Sequence, residues 1–243
     1  MSKPLLHISN LSTGWSSRSR ESRELHSGLE LSLETGKLLL LVGRNGIGKS
    51  ALLRTLAGLQ DPLKGQVKVQ GQALDLIDPK FRASLVSLVL ASPPQNLRLS
   101  VLEVILSGRF RFSGQGAAHY KTDRPIALSH MERVGLNLEA LTPFDRLSDG
   151  EKQKVMLARC LAQDTPLLLL DEPLAFLDYP SRKSFLNTLA ELCRDSGKSA
   201  VYSSHDIALS LEHCHSVLHL KQGSHELIHE PQTLRGDDWM LDD

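Results

Sequence analysis

The segment GRNGIGKS, residues 43–50, constrains the fold of this chain more than any other. It fits the pattern G-x-x-x-x-G-K-[ST], which needs a strand before the glycine-rich loop and a helix after it. Both are predicted here. The apolar run LLLLV at 38–42 indicates a buried strand, and GKSALLRTLAGL at 48–59 indicates a helix that ends at Gly58. A glycine-rich turn that matched the pattern by chance would lack this context. The sequence therefore predicts a phosphate-binding loop, called the phosphate loop below.

The residues of the phosphate loop have distinct expected roles. Lys49 reaches the β and γ phosphates of a nucleotide, and the Ser50 hydroxyl binds Mg²⁺. Backbone N–H groups surround phosphate oxygens at the start of the helix. The loop residues predicted to touch nucleotide in this way are Gly43, Arg44, Asn45, Gly46 and Gly48.

A second apolar strand ends in two carboxylates. In LLLLDEP, residues 167–173, Asp171 and Glu172 follow four leucines directly. Together with a phosphate loop, Asp171 is expected to hold Mg²⁺ through water, and Glu172 to face the attacking water. A positioned general base accelerates a reaction by about 10²–10⁴-fold. The alternative is that Glu172 is an ordinary carboxylate at a turn or helix start.

Strands alternate with helices along the chain, which indicates an α/β fold with a largely parallel sheet covered on both faces. A single domain, residues 1–243, is predicted, with a mostly helical part at about 96–146. Further strands are predicted at 65–72, 85–90, 167–171, 199–203 and, as the final one, 216–220. Helices are predicted at 100–109 and 123–134, from about Gly150, and at 181–195. A charged hairpin or loop is predicted at 16–24, with a solvated turn favoured, and a loop at 111–121.

The stretch RLSDGEKQKV, residues 146–155, supports two interpretations. Ser148 and Glu151 form a capping-box pattern, which starts a helix. Ser148 and Gly150 at that helix N-terminus could also receive a phosphate. Asp149 places a negative charge between them.

These motifs, taken in order, resemble the ATP-binding subunit of an ABC transporter over nearly the whole chain. The resemblance implies a P-loop NTPase core with a parallel sheet, a small antiparallel β subdomain and a helical subdomain. It also implies that the chain is an ATPase with ATP and Mg²⁺ as ligands. By the same resemblance, Trp15 stacks on adenine, an interaction worth roughly 1–3 kcal/mol. Gln95 contacts Mg²⁺ and links the core to the helical part.

The resemblance also assigns the remaining site residues. Asp178 matches an aspartate at the boundary between subunits, and His205 matches a histidine that contacts the γ phosphate. Ser148 and Gly150 would face the γ phosphate of ATP held by a second copy. Asp149 replaces the glycine usual in this family. We expect its side chain to turn outward and pair with a basic residue such as Lys152, and so to tune closure only modestly.

Composition limits the partners and the compartment. The 243 residues carry 28 basic and 28 acidic side chains, and this balance argues against a nucleic-acid partner. Three scattered cysteines indicate a reducing compartment. The longest apolar runs fall short of the roughly 20 residues that span a membrane. His213, Cys214, His215 and His219 lie close together in sequence, but a histidine-rich surface is favoured over a metal site.

The segment SVLEVILSGRF, 100–110, resembles the helical part of subunits that power uptake of ferric siderophores, haem and cobalamin. The expected partners are integral membrane permease subunits, a second ATPase subunit in a homodimer, and a separate substrate-binding protein. The permease contact is expected at 96–114, on the cytoplasmic face of the inner membrane. Three alternatives stay open: a non-transport ABC ATPase acting on nucleic acid or the ribosome, a nucleotide-binding regulator that does not hydrolyse, and a subunit for a different cargo.

Overall fold

The computed structural model describes residues 3–17, 20–112, 117–229 and 231. The strands are β1 Leu6–Ser17, β2 Arg20–Leu33, β3 Leu38–Val42, β4 Lys64–Val69, β5 Gln72–Ala73, β6 Val86–Val89, β7 Leu167–Leu170, β8 Ser199–Ser203, β9 Ser216–Lys221 and β10 Ser224–Ile228. The α-helices are α1 Lys49–Leu56, α2 Pro79–Leu85, α3 Val101–Ser107, α4 Ala117–Arg133, α5 Asp149–Ala162, α6 Tyr179–Ser196 and α7 Ile207–Leu211, and a 3₁₀ turn covers Phe144–Arg146. No helix in these ranges is long and apolar enough to cross a membrane.

The central sheet has six strands in the order β10-β9-β3-β8-β7-β6. All neighbouring pairs are parallel except β9 and β10. The central position of strand β3 accounts for its apolar residues. Leu39 and Leu41 face one apolar cluster, and Leu38, Leu40 and Val42 face another. Its five residues are buried on both faces, so it reads as a continuous apolar run rather than an alternating one.

Different elements cover the two faces of this sheet. Helix α1 and the antiparallel sheet pack on the first face, through side chains such as Leu52, Leu53 and Ile8. Helices α5, α6 and α7 pack on the second, through side chains such as Leu157 and Leu186. Each fully buried leucine contributes roughly 1.5–3 kcal/mol relative to an exposed one. The parallel strands are therefore held in place from both sides.

The antiparallel sheet has the order β2-β1-β4-β5. Its two long strands were not predicted, and the interpretation of 16–24 as a turn is wrong in part, because β2 begins at Arg20. Residues 18 and 19 lie outside the described residues. Pairing of Trp15 with Arg23 and of Ser17 with Arg20 holds this charged stretch extended. Pairing with the neighbouring strand, which the local sequence does not show, determines the extended conformation of residues 20–24.

Helices α3, α4 and α5 surround a third apolar cluster that contains Val101, Ile105, Ala127 and Phe144. Helix α5 joins this cluster to the central sheet, since it also sends Leu157 and Cys160 into the cluster on the second face. The interval 96–146 as a separate helical subdomain stays a prediction. In the structure, α5 contributes side chains both to the helical cluster and to the cluster on the central sheet, so it belongs to both parts.

Other sequence predictions were corrected. Helix α4 begins at Ala117, ahead of the predicted start at Asp123, and continues through Pro125, although proline usually lies in the first turn of a helix. The predicted loop at 111–121 is thus partly helical, and residues 113–116 lie outside the described residues. Strand β9 is followed by β10, so 216–220 is not the final strand. The short helices α2 and α7 were not predicted.

Candidate functional site

The site forms where three neighbouring parallel strands end. Strands β3, β8 and β7 lie side by side, with Leu41 paired to Ser203 and Leu170 paired to Tyr202. Their carboxyl ends lead into the phosphate loop, the segment before His205, and Asp171. In open α/β sheets, ligands bind outside the carboxyl ends of the strands. The predicted catalytic residues therefore meet at one edge.

The phosphate loop packs closely against β2. Gly48 has a φ of +114°, and a Cβ atom at this position would lie 2.8 Å from Leu25 Cδ1 and 2.9 Å from His26 Nε2. Only glycine fits both this conformation and this space. Sequence reasoning missed Leu25 and His26, since nothing in the local pattern shows that they border the loop.

Lys49 lies at the first position of α1 and turns back along the phosphate loop. Its Nζ donates hydrogen bonds to the backbone oxygens of Gly43 at 2.7 Å and Arg44 at 3.4 Å. Burial lowers the pKa of the Lys49 ammonium, while the Glu172 and Asp171 carboxylates act in the opposite direction. The structure thus brings Lys49 into the electrostatic neighbourhood of both predicted acidic residues.

Glu172 and His205 face each other. Glu172 Oε1 lies 3.2 Å from His205 Nε2, and the Glu172 side chain is 16% exposed against 59% for His205. Burial raises the pKa of the Glu172 carboxyl, and the nearby His205 and Lys49 oppose this rise. A carboxylate with a raised pKa beside an imidazole is suited to accept a proton from water.

The backbone of Glu172 adopts a left-handed conformation, with a φ of +47°. Such a conformation costs a non-glycine residue about 1–3 kcal/mol and persists only where the surroundings hold it. Here the Glu172 N–H donates a hydrogen bond of 2.8 Å to Ser203 Oγ. The end of the neighbouring strand β8 therefore fixes the direction of the Glu172 side chain.

Asp171 is buried, and its Oδ1 accepts a hydrogen bond of 3.0 Å from Ser203 Oγ. A carboxylate and a serine hydroxyl are the hard oxygen ligands that Mg²⁺ prefers, and such sites use one or two carboxylates with phosphates and water. Asp171 and Ser50 fit this chemistry, and their role as the residues that would hold Mg²⁺ together with Gln95 stays a prediction. When bound, the ion would neutralise phosphate charge.

Trp15 and Gln95 are both exposed to solvent. Trp15 is half exposed on β1, and β1 pairs with the strand that contacts Gly48. Gln95 is exposed, and its side-chain amide donates to the Pro93 oxygen at 3.4 Å. Their roles toward adenine and Mg²⁺ stay predictions.

The signature segment, residues 147–151, forms the start of α5. Both hydrogen bonds of the predicted capping box are present between Ser148 and Glu151. A Cβ atom on Gly150 would lie 2.7 Å from the Phe176 backbone oxygen, so the segment packs directly on the stretch that carries Asp178. Asp178 caps α6 by accepting from the Ser181 N–H at 3.0 Å. Hydrogen bonds from the Ser181 side chain and from its backbone N–H lower the pKa of the Asp178 carboxyl.

Asp149 is exposed in this single copy. Its side chain is 56% exposed, and Oδ1 lies 3.8 Å from Nζ of Lys152, the basic residue expected beside it. Its rotation away from the phosphate held by a second copy stays a prediction.

His215, just before β9, has a structural partner. His215 Nδ1 accepts a hydrogen bond of 3.1 Å from the Leu38 N–H. Within the described ranges, no three His, Cys, Asp or Glu side chains are grouped so as to hold a metal ion.

Comparison with known proteins shows the family of this chain. Residues 26–175 match the family model described as ABC transporter. The chain belongs to the ABC transporter family. As a member of this family of ATPases it binds and hydrolyses ATP, and the predicted family and fold are confirmed.

Two relatives of this chain in the ABC family are named for the import of different cargoes. The phosphonates import ATP-binding protein PhnC of Alcaligenes faecalis is 33% identical over 227 residues, which cover 90% of this chain and 81% of that protein. The iron(3+)-hydroxamate import ATP-binding protein FhuC of Bacillus subtilis (strain 168) is 31% identical over 202 residues, covering 83% and 75%.

A solved structure shares the ABC fold. The dimeric ATP-binding cassette MJ0796 bound to ADP and Pi matches with a TM-score of 0.81 at 24% identity. The match covers 91% of this chain and 97% of that one. At this identity the likeness concerns the fold.

Proposed function

We propose that this chain is the ATP-hydrolysing subunit of an importer, with Glu172 as the general base. The observation that carries the proposal is the contact of Glu172 with His205, 3.2 Å apart at the edge where Lys49 also lies. Glu172 would take the proton of the attacking water, and Lys49 would stabilise charge on the phosphates. His205, more exposed than Glu172, would contact the γ phosphate.

We infer that a second copy of the chain completes each nucleotide site. The exposed start of α5 presents Ser148 and Gly150 at a helix N-terminus, which favours an anion. In the proposed homodimer, ATP would lie between the phosphate loop of one copy and the signature segment of the other. ATP then favours the closed dimer because it contacts both copies only in that state.

We propose that the permease docks in an apolar groove beside Gln95. The groove has a volume of about 670 Å³. Its lining includes Leu90, Pro93, Leu97, Leu99 and Val104. Leu90 and Leu99 are exposed large apolar side chains, a feature that marks interaction surfaces. The groove overlaps the segment 96–114, where the sequence predicts the contact, and docking would place the chain peripherally on the cytoplasmic face of the inner membrane.

The cargo proposed from the sequence is a metal chelate, such as a ferric siderophore, delivered by a separate substrate-binding protein. Support comes from the segment 100–110 and from the likeness to FhuC, which is named for iron(3+)-hydroxamate import. The likeness to PhnC, named for phosphonates import, favours a phosphonate as the second candidate. The two candidate cargoes are therefore a metal chelate and a phosphonate.

The test is a capture experiment from native membranes. Tagged Glu172→Gln protein with MgATP is mixed with gently solubilised membranes, and the proteins retained are identified. A polytopic permease is expected, and uptake of ferric hydroxamate against phosphonate in a strain lacking this chain then separates the two cargoes. Recovery of ribosomes, nucleic acid or soluble proteins alone would overturn the transporter function.

A matched pair of variants tests the groove. Leu99→Glu, inside the groove, is expected to abolish capture of the permease. Leu76→Glu changes an equally apolar, exposed side chain outside the groove lining and is expected to retain it. Equal capture by both variants would place the permease elsewhere.

A further inference from the structure

Ser203 joins the two acidic residues of the site through one hydroxyl group. It lies at the end of β8, between β3 and β7, and is fully buried. Its Oγ donates to Asp171 Oδ1 at 3.0 Å and accepts from the Glu172 N–H at 2.8 Å. A hydroxyl can do both at once, because it carries one donor and two acceptor positions.

The two bonds act on different parts of the site. The bond to the Glu172 N–H holds a backbone with a φ of +47°, which determines the direction in which the carboxylate side chain leaves the strand. The bond to Asp171 orients a buried carboxylate that would hold Mg²⁺. A small error in the direction of a catalytic group slows the reaction strongly.

We propose that Ser203 is a positioning residue for ATP hydrolysis: its hydroxyl aims Glu172 and orients Asp171 together. The proposal rests on the role of Glu172 proposed above. Ser203 is fully buried and its hydroxyl bonds to Asp171 and to the Glu172 N–H, so its loss should slow turnover while leaving the phosphate loop able to bind ATP.

The structure offers a matched control on the same strand. Ser199, at the opposite end of β8, is also fully buried. Its Oγ donates to the Glu34 oxygen at 2.9 Å and accepts from the Lys37 N–H at 3.3 Å. Ser199→Ala therefore removes the same number of hydrogen bonds from a buried serine of the same strand away from the site, although its acceptor is a backbone carbonyl and not a carboxylate. It reports the structural cost of losing a buried hydroxyl from β8.

The experiment measures kcat, KM and the Kd for ATP without Mg²⁺ in wild type, Ser203→Ala, Ser203→Thr and Ser199→Ala. We expect Ser203→Ala to lower kcat about 10-fold, equal to about 1.4 kcal/mol of barrier, with the Kd for ATP nearly unchanged. Ser203→Thr keeps the hydroxyl and should restore most of kcat. Ser199→Ala should keep kcat.

Three results would overturn the proposal: full kcat in Ser203→Ala, no recovery in Ser203→Thr, or an equal loss in Ser199→Ala. If Ser203→Ala does not fold, Ser203→Thr against Ser203→Val makes the same comparison at nearly equal volume. Glu172→Gln is measured alongside. Turnover retained in Glu172→Gln removes the proposed base and this proposal with it, whereas an inactive Glu172→Gln beside an unaffected Ser203→Ala removes only the role of Ser203.

Discussion

At the scale of single residues, position in the sheet gives the side chains their chemistry. Glu172 would be an ordinary carboxylate on the surface, but at the end of β7 it is mostly buried beside His205. Burial disfavours the charged form, and the neighbouring cations favour it. The pKa of the Glu172 carboxyl is therefore raised, although His205 and Lys49 still stabilise its anion.

The raised pKa of Glu172 predicts the acid limb of turnover. A base must be deprotonated, so kcat/KM, which reports the nucleotide-free protein, should fall as the pH drops through a value above 4.5, the ordinary pKa of a glutamate. His205→Asn removes a group that lowers the pKa of Glu172, so the limb of its residual activity should move to higher pH. The measurement is kcat/KM against pH for both proteins. A limb at or below pH 4.5, or a shift to lower pH, would contradict the assignment.

Asp149 predicts a small effect on dimer closure. With the carboxylate turned outward near Lys152, Asp149→Gly should tighten the MgATP-bound dimer of Glu172→Gln protein less than about 10-fold. A carboxylate about 5 Å from the γ phosphate would instead repel it by roughly 3 kcal/mol. Sedimentation of both proteins gives the dimer Kd. Tightening of more than about 100-fold would show that Asp149 faces the phosphate in the dimer.

At the scale of elements, the site depends on where helices and strands end. The capping box at the start of α5 is formed as the sequence predicts, because it depends on residues three positions apart, and α3 begins with a second one at Ser100 and Glu103. The contact of the α5 start with Phe176 connects residues far apart in sequence. Local rules could not predict it, since Phe176 lies in a different loop.

This contact predicts a specific sensitivity at Gly150. Gly150→Ala would place a Cβ atom 2.7 Å from the Phe176 oxygen, closer than packing allows, so α5 or the loop must shift. Overpacking of this kind costs about 1–3 kcal/mol. ATPase activity and the midpoint of thermal unfolding should both fall. Asp149→Ala, at the exposed neighbouring position, serves as the control, and equal behaviour of the two variants would contradict the steric explanation.

At the scale of the whole molecule, burial of histidines links stability to pH. Burial, together with the charge of the nearby Arg133, lowers the pKa of His130 from 6.5 to about 4. The His130 Nδ1 is buried with no hydrogen-bond partner in the described residues. Burial also lowers the pKa of His26, His213 and His215. The unfolded chain therefore binds protons that the folded chain does not.

His130 predicts acid lability with a definite sign. Its contribution to stability is full above pH 6.5 and is lost as the pH falls toward 4, because only the unfolded state is protonated in that window. After allowance for solvent screening of this partly exposed side chain, the loss is on the order of 1–2 kcal/mol. Urea unfolding of wild type and His130→Gln at pH 7.5 and pH 5 measures it. Comparison at pH 7.5 separates packing effects, and equal losses on acidification in both proteins would contradict the prediction.

The sequence by itself determined the family, the α/β class, the phosphate loop and the start of α5. These features depend on residues close together in the chain, such as the run Leu38–Val42 before Gly43 or Ser148 with Glu151. In β2 the alternation of Leu29, Leu31 and Leu33 is a period-2 signal for a half-buried strand, although the strand was not predicted. Only the tertiary structure decided the pairing of β1 with β2 at residues 20–24, the packing of Leu25 and His26 on Gly48, and the double hydrogen bond of Ser203. These contacts join residues from different elements, so their positions along a single sequence do not show that they meet.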